Sequence, residues 1–250
     1  MQAEIGWLLR ESPPSIDVTA RFLEIYSSPP EPAVPVLLVP GIFTGIYPAY
    51  LRSIRRALRA REIEIDTAHG KLRDNAARIR DAVAKEPTPV VLLGQSKGPL
   101  DIHAALALYP EIAPNVRAFV SVQAPFAGTP LADRRSLLRS LAPEAFFEMS
   151  YPERQAFLRA YGAVPKVPTV ALATHTARAG LFLEKTRQFI EAPSDGFVPL
   201  PDAQIPGALL VVLDGVDHAA LALPWLRPFG RYDPGRVAKA LIALVTTFRA

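Results

Sequence analysis

The sequence predicts an α/β fold: a mostly parallel sheet flanked by helices, with a helical insertion near residues 131–165. Three observations carry that expectation. Short apolar runs recur along the chain, and those at 36–39 and 89–93 are unbroken by polar residues, as in strands buried on both faces. Segments with helical periodicity separate the runs and supply the crossover lengths that parallel strands require. The rhythm then breaks once, after residues 124–130, and resumes at Val167.

Taken in order, residues 1–33 are ambiguous, with 21–26 readable as a strand or a short helix. Pro29, Pro30, Pro32 and Pro35 make the next stretch an extended connector. Residues 36–39 form a strand that ends in a Pro40-Gly41 loop. Residues 50–61 follow as an amphipathic helix on Leu51, Ile54 and Leu58. The alternation at 62–66 suits a short strand nearer the sheet edge. A helix is expected over 74–85, with Ile79 and Val83 inward. Next come the apolar strand from Pro89, a helix from Pro99 to Tyr109, and a strand at 117–122. The insertion carries Leu137, Leu138, Leu141, Phe146, Phe147, Met149, Tyr151, Phe157, Leu158 and Tyr161, enough apolar mass to pack as an extra layer on the core, and a helical cap whose inner face lines a pocket is expected. The remaining expectations are a strand at 167–173, a helix at 178–190, a strand at 208–213 and a terminal helix at 236–248.

Composition narrows the classes. A chain of 250 residues, half of them hydrophobic, suits one α/β domain with a large core. The absence of cysteine excludes disulfides, thiolate zinc sites and a Cys nucleophile. No apolar run reaches the roughly 18 residues of a membrane span. The first ten residues lack the basic start and long apolar segment of a secretory signal, so a cytoplasmic location is expected. The net charge of +4 comes mostly from arginines spread along helices. Arg52, Arg55, Arg56, Arg59 and Arg61, mostly at three- and four-residue spacing, are expected largely on one helix face, without the interleaved aromatics of a single-strand binder, so no nucleic-acid partner is expected.

The chemistry centres on Gly94-Gln95-Ser96-Lys97-Gly98, set between a buried strand and a helix whose first turn holds Pro99. A serine held in so sharp a turn is presented as a nucleophile, and the flanking glycines leave room for crowded backbone. A hydroxyl needs a base to take its proton, and the base needs an orienting acid. Of four histidines, His69 lies in a polar loop and His103 about two turns into the helix after Ser96. His175 is a weak rival at a strand end, and His218 follows the last expected strand. His218 is the assigned base. Asp195, on an earlier loop, is the assigned acid in the order Ser, Asp, His, while Asp214 and Asp217 are assigned to the turn beside His218. The oxyanion donors are assigned to the N–H groups of Lys97 and Ile42, with the Lys97 side chain expected in a surface ion pair with Asp101.

Together, Gly94–Gly98, Asp195 in Ser-Asp-Gly and His218 in Val-Asp-His resemble the α/β-hydrolase superfamily. The segments 40–45 and 122–130 are similar to the corresponding loops of bacterial lipases and carboxylesterases. The resemblance covers about residues 34–250. It implies an α/β-hydrolase fold, a serine hydrolase acting on a small-molecule ester through an acyl-enzyme, and no cofactor. Departures are visible: Pro40 replaces the His of the lipase His-Gly oxyanion loop, and Gln95 stands where His is common. Ala220 replaces the Asp that binds calcium in some bacterial lipases, so no metal site is expected. Phe43, Phe126, Phe146 and Phe147 are the expected lining of an apolar acyl pocket. The same triad also serves acyltransferases and thioesterases, and a non-catalytic binding member of the fold is the remaining alternative. The sequence leaves the oligomeric state open.

Overall fold

The structure, a computed structural model, describes residues 12–42, 44, 49, 51–133, 143–223 and 231–248. Among them, seven strands form one sheet in which every pairing is parallel. The strands are β1 (Ile16–Asp17), β2 (Val36–Val39), β3 (Arg61–Glu62), β4 (Val90–Gln95), β5 (Val116–Val122), β6 (Thr169–His175) and β7 (Leu209–Asp214). Their order across the sheet is β1-β7-β6-β5-β4-β2-β3. The long central strands are flanked by edge strands of two residues each, β1 and β3.

Successive residues of the central strands feed two separate cores. Val90 and Leu92 belong to one apolar cluster, Val91 and Leu93 to the other. This period of two is why β4 reads as a continuous apolar run: both faces are covered. The first cluster is closed by helices α3 (Leu72–Ala84) and α4 (Gly98–Leu108). The second is closed by α1 (Thr19–Ser27), α2 (Arg52–Leu58) and α7 (Pro234–Thr247). α4 is buried all round: every residue from Gly98 to Leu106 is buried, Asp101 and His103 included.

Residues 19–27 form a helix because Phe22 packs into the second core, with its ring 5.9 Å from that of Tyr26. β1 was not expected; two exposed residues carry no periodic signal, and the strand exists through its pairing with β7. The expected strand at 62–66 shortens to Arg61–Glu62, and the helix expected over 178–190 to α6 (Leu181–Arg187). Between β5 and β6 lie a 3₁₀ turn, Glu144–Met149, and helix α5 (Tyr151–Tyr161). Leu137, Leu138 and Leu141 of the expected insertion lie outside the described residues. Phe146, Met149 and Leu158 join the core of the α3–α4 face.

Candidate active site

Ser96 follows β4 directly and has φ of 59°, in the left-handed region that a β-carbon normally disfavours. Strain of this kind persists only where the surroundings over-determine it. Here they do. A β-carbon on Gly98 would sit 2.2 Å from the Val39 carbonyl oxygen, and one on Gly94 2.6 Å from the Pro99 nitrogen. The turn is therefore wedged between β2 and the start of α4, and the Ser96 N–H donates to the Val122 carbonyl of β5 at 2.9 Å.

The connection from α6 to β7, which carries Asp195, and the loop after β7, which carries His218, meet at the turn. His218 Nε2 lies 2.9 Å from Ser96 Oγ, and His218 Nδ1 lies 2.8 Å from Asp195 Oδ2. The other oxygen, Asp195 Oδ1, accepts the N–H groups of Phe197 at 2.9 Å and Val198 at 2.7 Å. The backbone repeats the link, with His218 N–H donating to the Asp195 carbonyl at 2.9 Å. Phe197 stacks on the imidazole at 4.7 Å between ring centroids. All three side chains are buried. The sequence assignments Ser96, His218 and Asp195 are thus brought into one hydrogen-bonded line.

The rival residues lie elsewhere. His175 is 3.3 Å from Asp214, and Asp217 accepts the N–H groups of Gly180 and Ala219, which fits a turn-forming role. His69 is largely exposed beside Asp66. His103 is buried, its ring 4.9 Å from that of Phe126, and burial with Arg154 nearby pushes its pKa down to about 3.

Both amides assigned to the oxyanion are placed at this end of the sheet. Ile42 is buried just after β2, and Lys97 caps α4. Neither N–H donates to another described residue. The Lys97 side chain requires a correction. Its Nζ does meet Asp101 Oδ1, at 2.7 Å, but the pair is 1 % exposed on each side and not at the surface. α4 lies under the helical segment between β5 and β6, so its first turn has no wet face.

Of the aromatic side chains assigned to an acyl pocket, Phe43 lies outside the described residues. Phe126 is fully buried between His103 and Arg154. Phe146 sets its edge against Phe197 at 5.9 Å and against Phe147 at 5.7 Å, so it stands one ring behind the residue that covers His218. Phe147 lines a cavity of about 320 Å³ with His69, Lys71, Glu144, Glu148 and Glu153.

Sequence reasoning missed two glutamines. Gln95, at the end of β4, donates to the His218 carbonyl at 3.3 Å and to Gln123 Oε1 at 3.4 Å. Gln123, just past β5, donates to the Asp217 carbonyl at 2.9 Å and to Thr174 Oγ1 at 2.7 Å. The two side chains clamp consecutive carbonyls of the His218 loop. The departure at Gln95 was legible; its partner loop, 123 residues away, was not.

Among the described residues no helix is long and apolar enough to cross a membrane, and no group of three or more His, Cys, Asp or Glu could hold a metal ion.

Sheet order, flanking helices and the strained serine turn define the α/β-hydrolase fold, and solved structures agree. A metagenomic carboxyl esterase matches at 23 % identity over 93 % of this chain and 92 % of its own, with a TM-score of 0.79. The mature Bacillus licheniformis lipase BlEst2 matches at 21 % identity, 80 % and 94 % coverage and a TM-score of 0.63. EstA from Clostridium botulinum matches at 12 % identity, 99 % and 98 % coverage and a TM-score of 0.61. No protein-family model and no curated protein matches the chain.

Proposed function

We propose that the protein is a carboxylic ester hydrolase that works through an acyl-enzyme on Ser96. The observation that carries the reading is the line Asp195–His218–Ser96, with hydrogen bonds of 2.8 and 2.9 Å. Ser96 Oγ attacks the ester carbonyl carbon while His218 Nε2 takes the hydroxyl proton. Asp195 holds the Nδ1–H tautomer and balances the charge of the imidazolium. The carbonyl oxygen, now carrying the negative charge, is received by the N–H groups of Ile42 and Lys97, donors that need no reorganisation at the moment of reaction. As the tetrahedral adduct collapses, the imidazolium returns its proton to the departing alkoxide. Water, deprotonated by His218, then attacks the acyl-enzyme by the same path and frees the acid. No step calls on a cofactor.

The substrate class follows from the surroundings. Phe197 against His218, with Phe146 packed behind it, favours an apolar acyl group over a charged one. The esterase and lipase neighbours support ester hydrolysis as the reaction. The insertion at 131–165 is read as a cap over the site.

The test is hydrolysis of p-nitrophenyl esters from acetate to palmitate by wild type and Ser96→Ala. The expected result is a rate that peaks at one chain length and falls about 10³-fold or more in the variant, with the melting temperature little changed. Equal rates in the two proteins, or failure of a fluorophosphonate probe to label Ser96, would rule out this mechanism.

A further inference from the structure

Lys97 is an unusual residue to bury, and the reading above gives work only to its backbone. Its ammonium is 2.7 Å from Asp101 Oδ1 and 3.5 Å from Glu148 Oε2. Asp101 is one turn further along α4, and Asn75 of α3 also donates to its Oδ1, at 3.3 Å. Glu148 belongs to the 3₁₀ turn between β5 and β6, and its carboxylate accepts the N–H of Leu72, the first residue of α3, at 3.0 and 3.1 Å. One buried cation therefore joins three elements: the serine turn, the start of α3 and the Glu144–Met149 segment.

Burying an ammonium costs several kcal/mol unless it is paired, and an uncharged residue such as Leu or Met would fill the space with no such penalty. A lysine here is explained if its attachments constrain something. What they constrain is the residue next to the strained Ser96. With the side chain anchored on Asp101 and Glu148, the Lys97 backbone has little freedom to turn its N–H away from the position a developing oxyanion would occupy. Misplacement of a donor by a fraction of an ångström is enough to weaken transition-state binding.

We propose that the Lys97 side chain is a positioning residue, tying the oxyanion-facing amide of the serine turn to Glu148 of the segment between β5 and β6. The proposal rests on the ester-hydrolase reading of Ser96 and deepens it. It makes a distinctive demand: loss of the ammonium weakens tetrahedral species and leaves the ground-state ester alone.

The experiment compares wild type, Lys97→Met, Lys97→Arg and Glu148→Gln. Each is assayed for kcat and KM on p-nitrophenyl butyrate and for inhibition by an alkyl boronic acid, which forms a tetrahedral adduct on serine. Active sites are counted with a fluorophosphonate, so that unfolded protein does not enter kcat. Lys97→Met is expected to lower kcat about tenfold or more with KM within twofold, and to raise the boronic acid inhibition constant by a similar factor. Lys97→Arg should recover part of the loss. Glu148→Gln keeps an oxygen for the Leu72 N–H and is partly exposed. It should fold normally and show the same split at smaller size, which carries the test if Lys97→Met does not fold. Variants with wild-type kcat per active site, or a loss confined to KM or to the folded fraction, would overturn the proposal. Wild type that neither hydrolyses esters nor takes the probe overturns the ester-hydrolase reading itself, and this inference with it.

Discussion

Two buried polar groups lie on either side of the serine turn, and they are built in opposite ways. In the line from Asp195 to Ser96, both carboxylate oxygens and both ring nitrogens have partners at 2.7 to 2.9 Å. In the neighbouring group, Asp101 Oδ2, Asn75 Oδ1, His103 Nδ1 and both Nη atoms of Arg154 have no partner among the described residues. Arg154 is fully buried all the same, with its Nε donating to the Phe126 carbonyl at 2.9 Å and its guanidinium 5.6 and 5.2 Å from the rings of Phe126 and Phe157. The first group is fixed by directed hydrogen bonds. The second is held by balanced charge, Lys97 and Arg154 against Asp101 and Glu148, and by aromatic faces. A fully bonded set holds one geometry, which proton transfer needs; in the charged set only Lys97, Asp101 and Glu148 are tied by close contacts, and Arg154 and His103 mainly set the environment.

That contrast can be broken first at the end of the bonded line. Asp195→Asn keeps the shape but removes the charge and favours the wrong imidazole tautomer. It is expected to lower kcat by about 10³- to 10⁴-fold, with a much smaller fractional change in KM, in steady-state kinetics. A loss below tenfold would mean that Asp195 only shapes its loop.

In the second group the largest expected effect is on stability. Arg154→Met removes one of two cations facing Asp101 and Glu148 and leaves the Phe126 carbonyl unpaired. It should cost about 3 kcal/mol in urea unfolding, with activity per folded molecule changed far less than in Asp195→Asn. A neutral or stabilising result would show that the buried charge is replaceable by packing, as it is in some proteins.

The smallest effect is a slope. Burial, with Arg154 beside it, holds His103 at about pKa 3, whereas the unfolded imidazole titrates near 6.5. The unfolded chain therefore binds the extra proton between these values, and stability falls as pH drops from 6.5 towards 3. Asp101 and Asp202, both raised to about 6 by burial, act in the opposite sense between about pH 4 and 6. His103→Leu deletes only the first effect. The stability difference between wild type and variant should change by about 1.4 kcal/mol per pH unit at its steepest, in urea titrations from pH 7 to 5. A pH-independent difference would place the folded-state His103 near its ordinary value.

The bonded line was largely legible in the sequence, the charged group hardly at all. Ser96 announces itself because strand, glycines and helix are contiguous in the chain. His218 and Asp195 follow from chemical need and chain order. Lys97 and Asp101 were legible as a pair through their spacing of four on α4, but their burial was not. Whether a helix face is wet depends on what lies across it, here Glu148 and Arg154 from a segment about 50 residues later. The burial of Phe126 between His103 and Arg154 was illegible for the same reason: an aromatic near a site in sequence can point into the core as readily as into a pocket.

By itself the sequence determined the period of its strands, the crossovers that make the sheet parallel and the serine turn, and it singled out the side chains proposed as base and acid. These rest on local sterics, hydrophobic patterning and functional-group chemistry, all of which act over a few residues. Tertiary structure alone decided the edge strand at Ile16–Asp17, the clamp of Gln95 and Gln123 on the His218 loop, and the burial of Lys97 with its partners. Each depends on groups 20 to 200 residues apart meeting in space, and a hydrogen bond or a dry interface of that kind leaves no period in the chain.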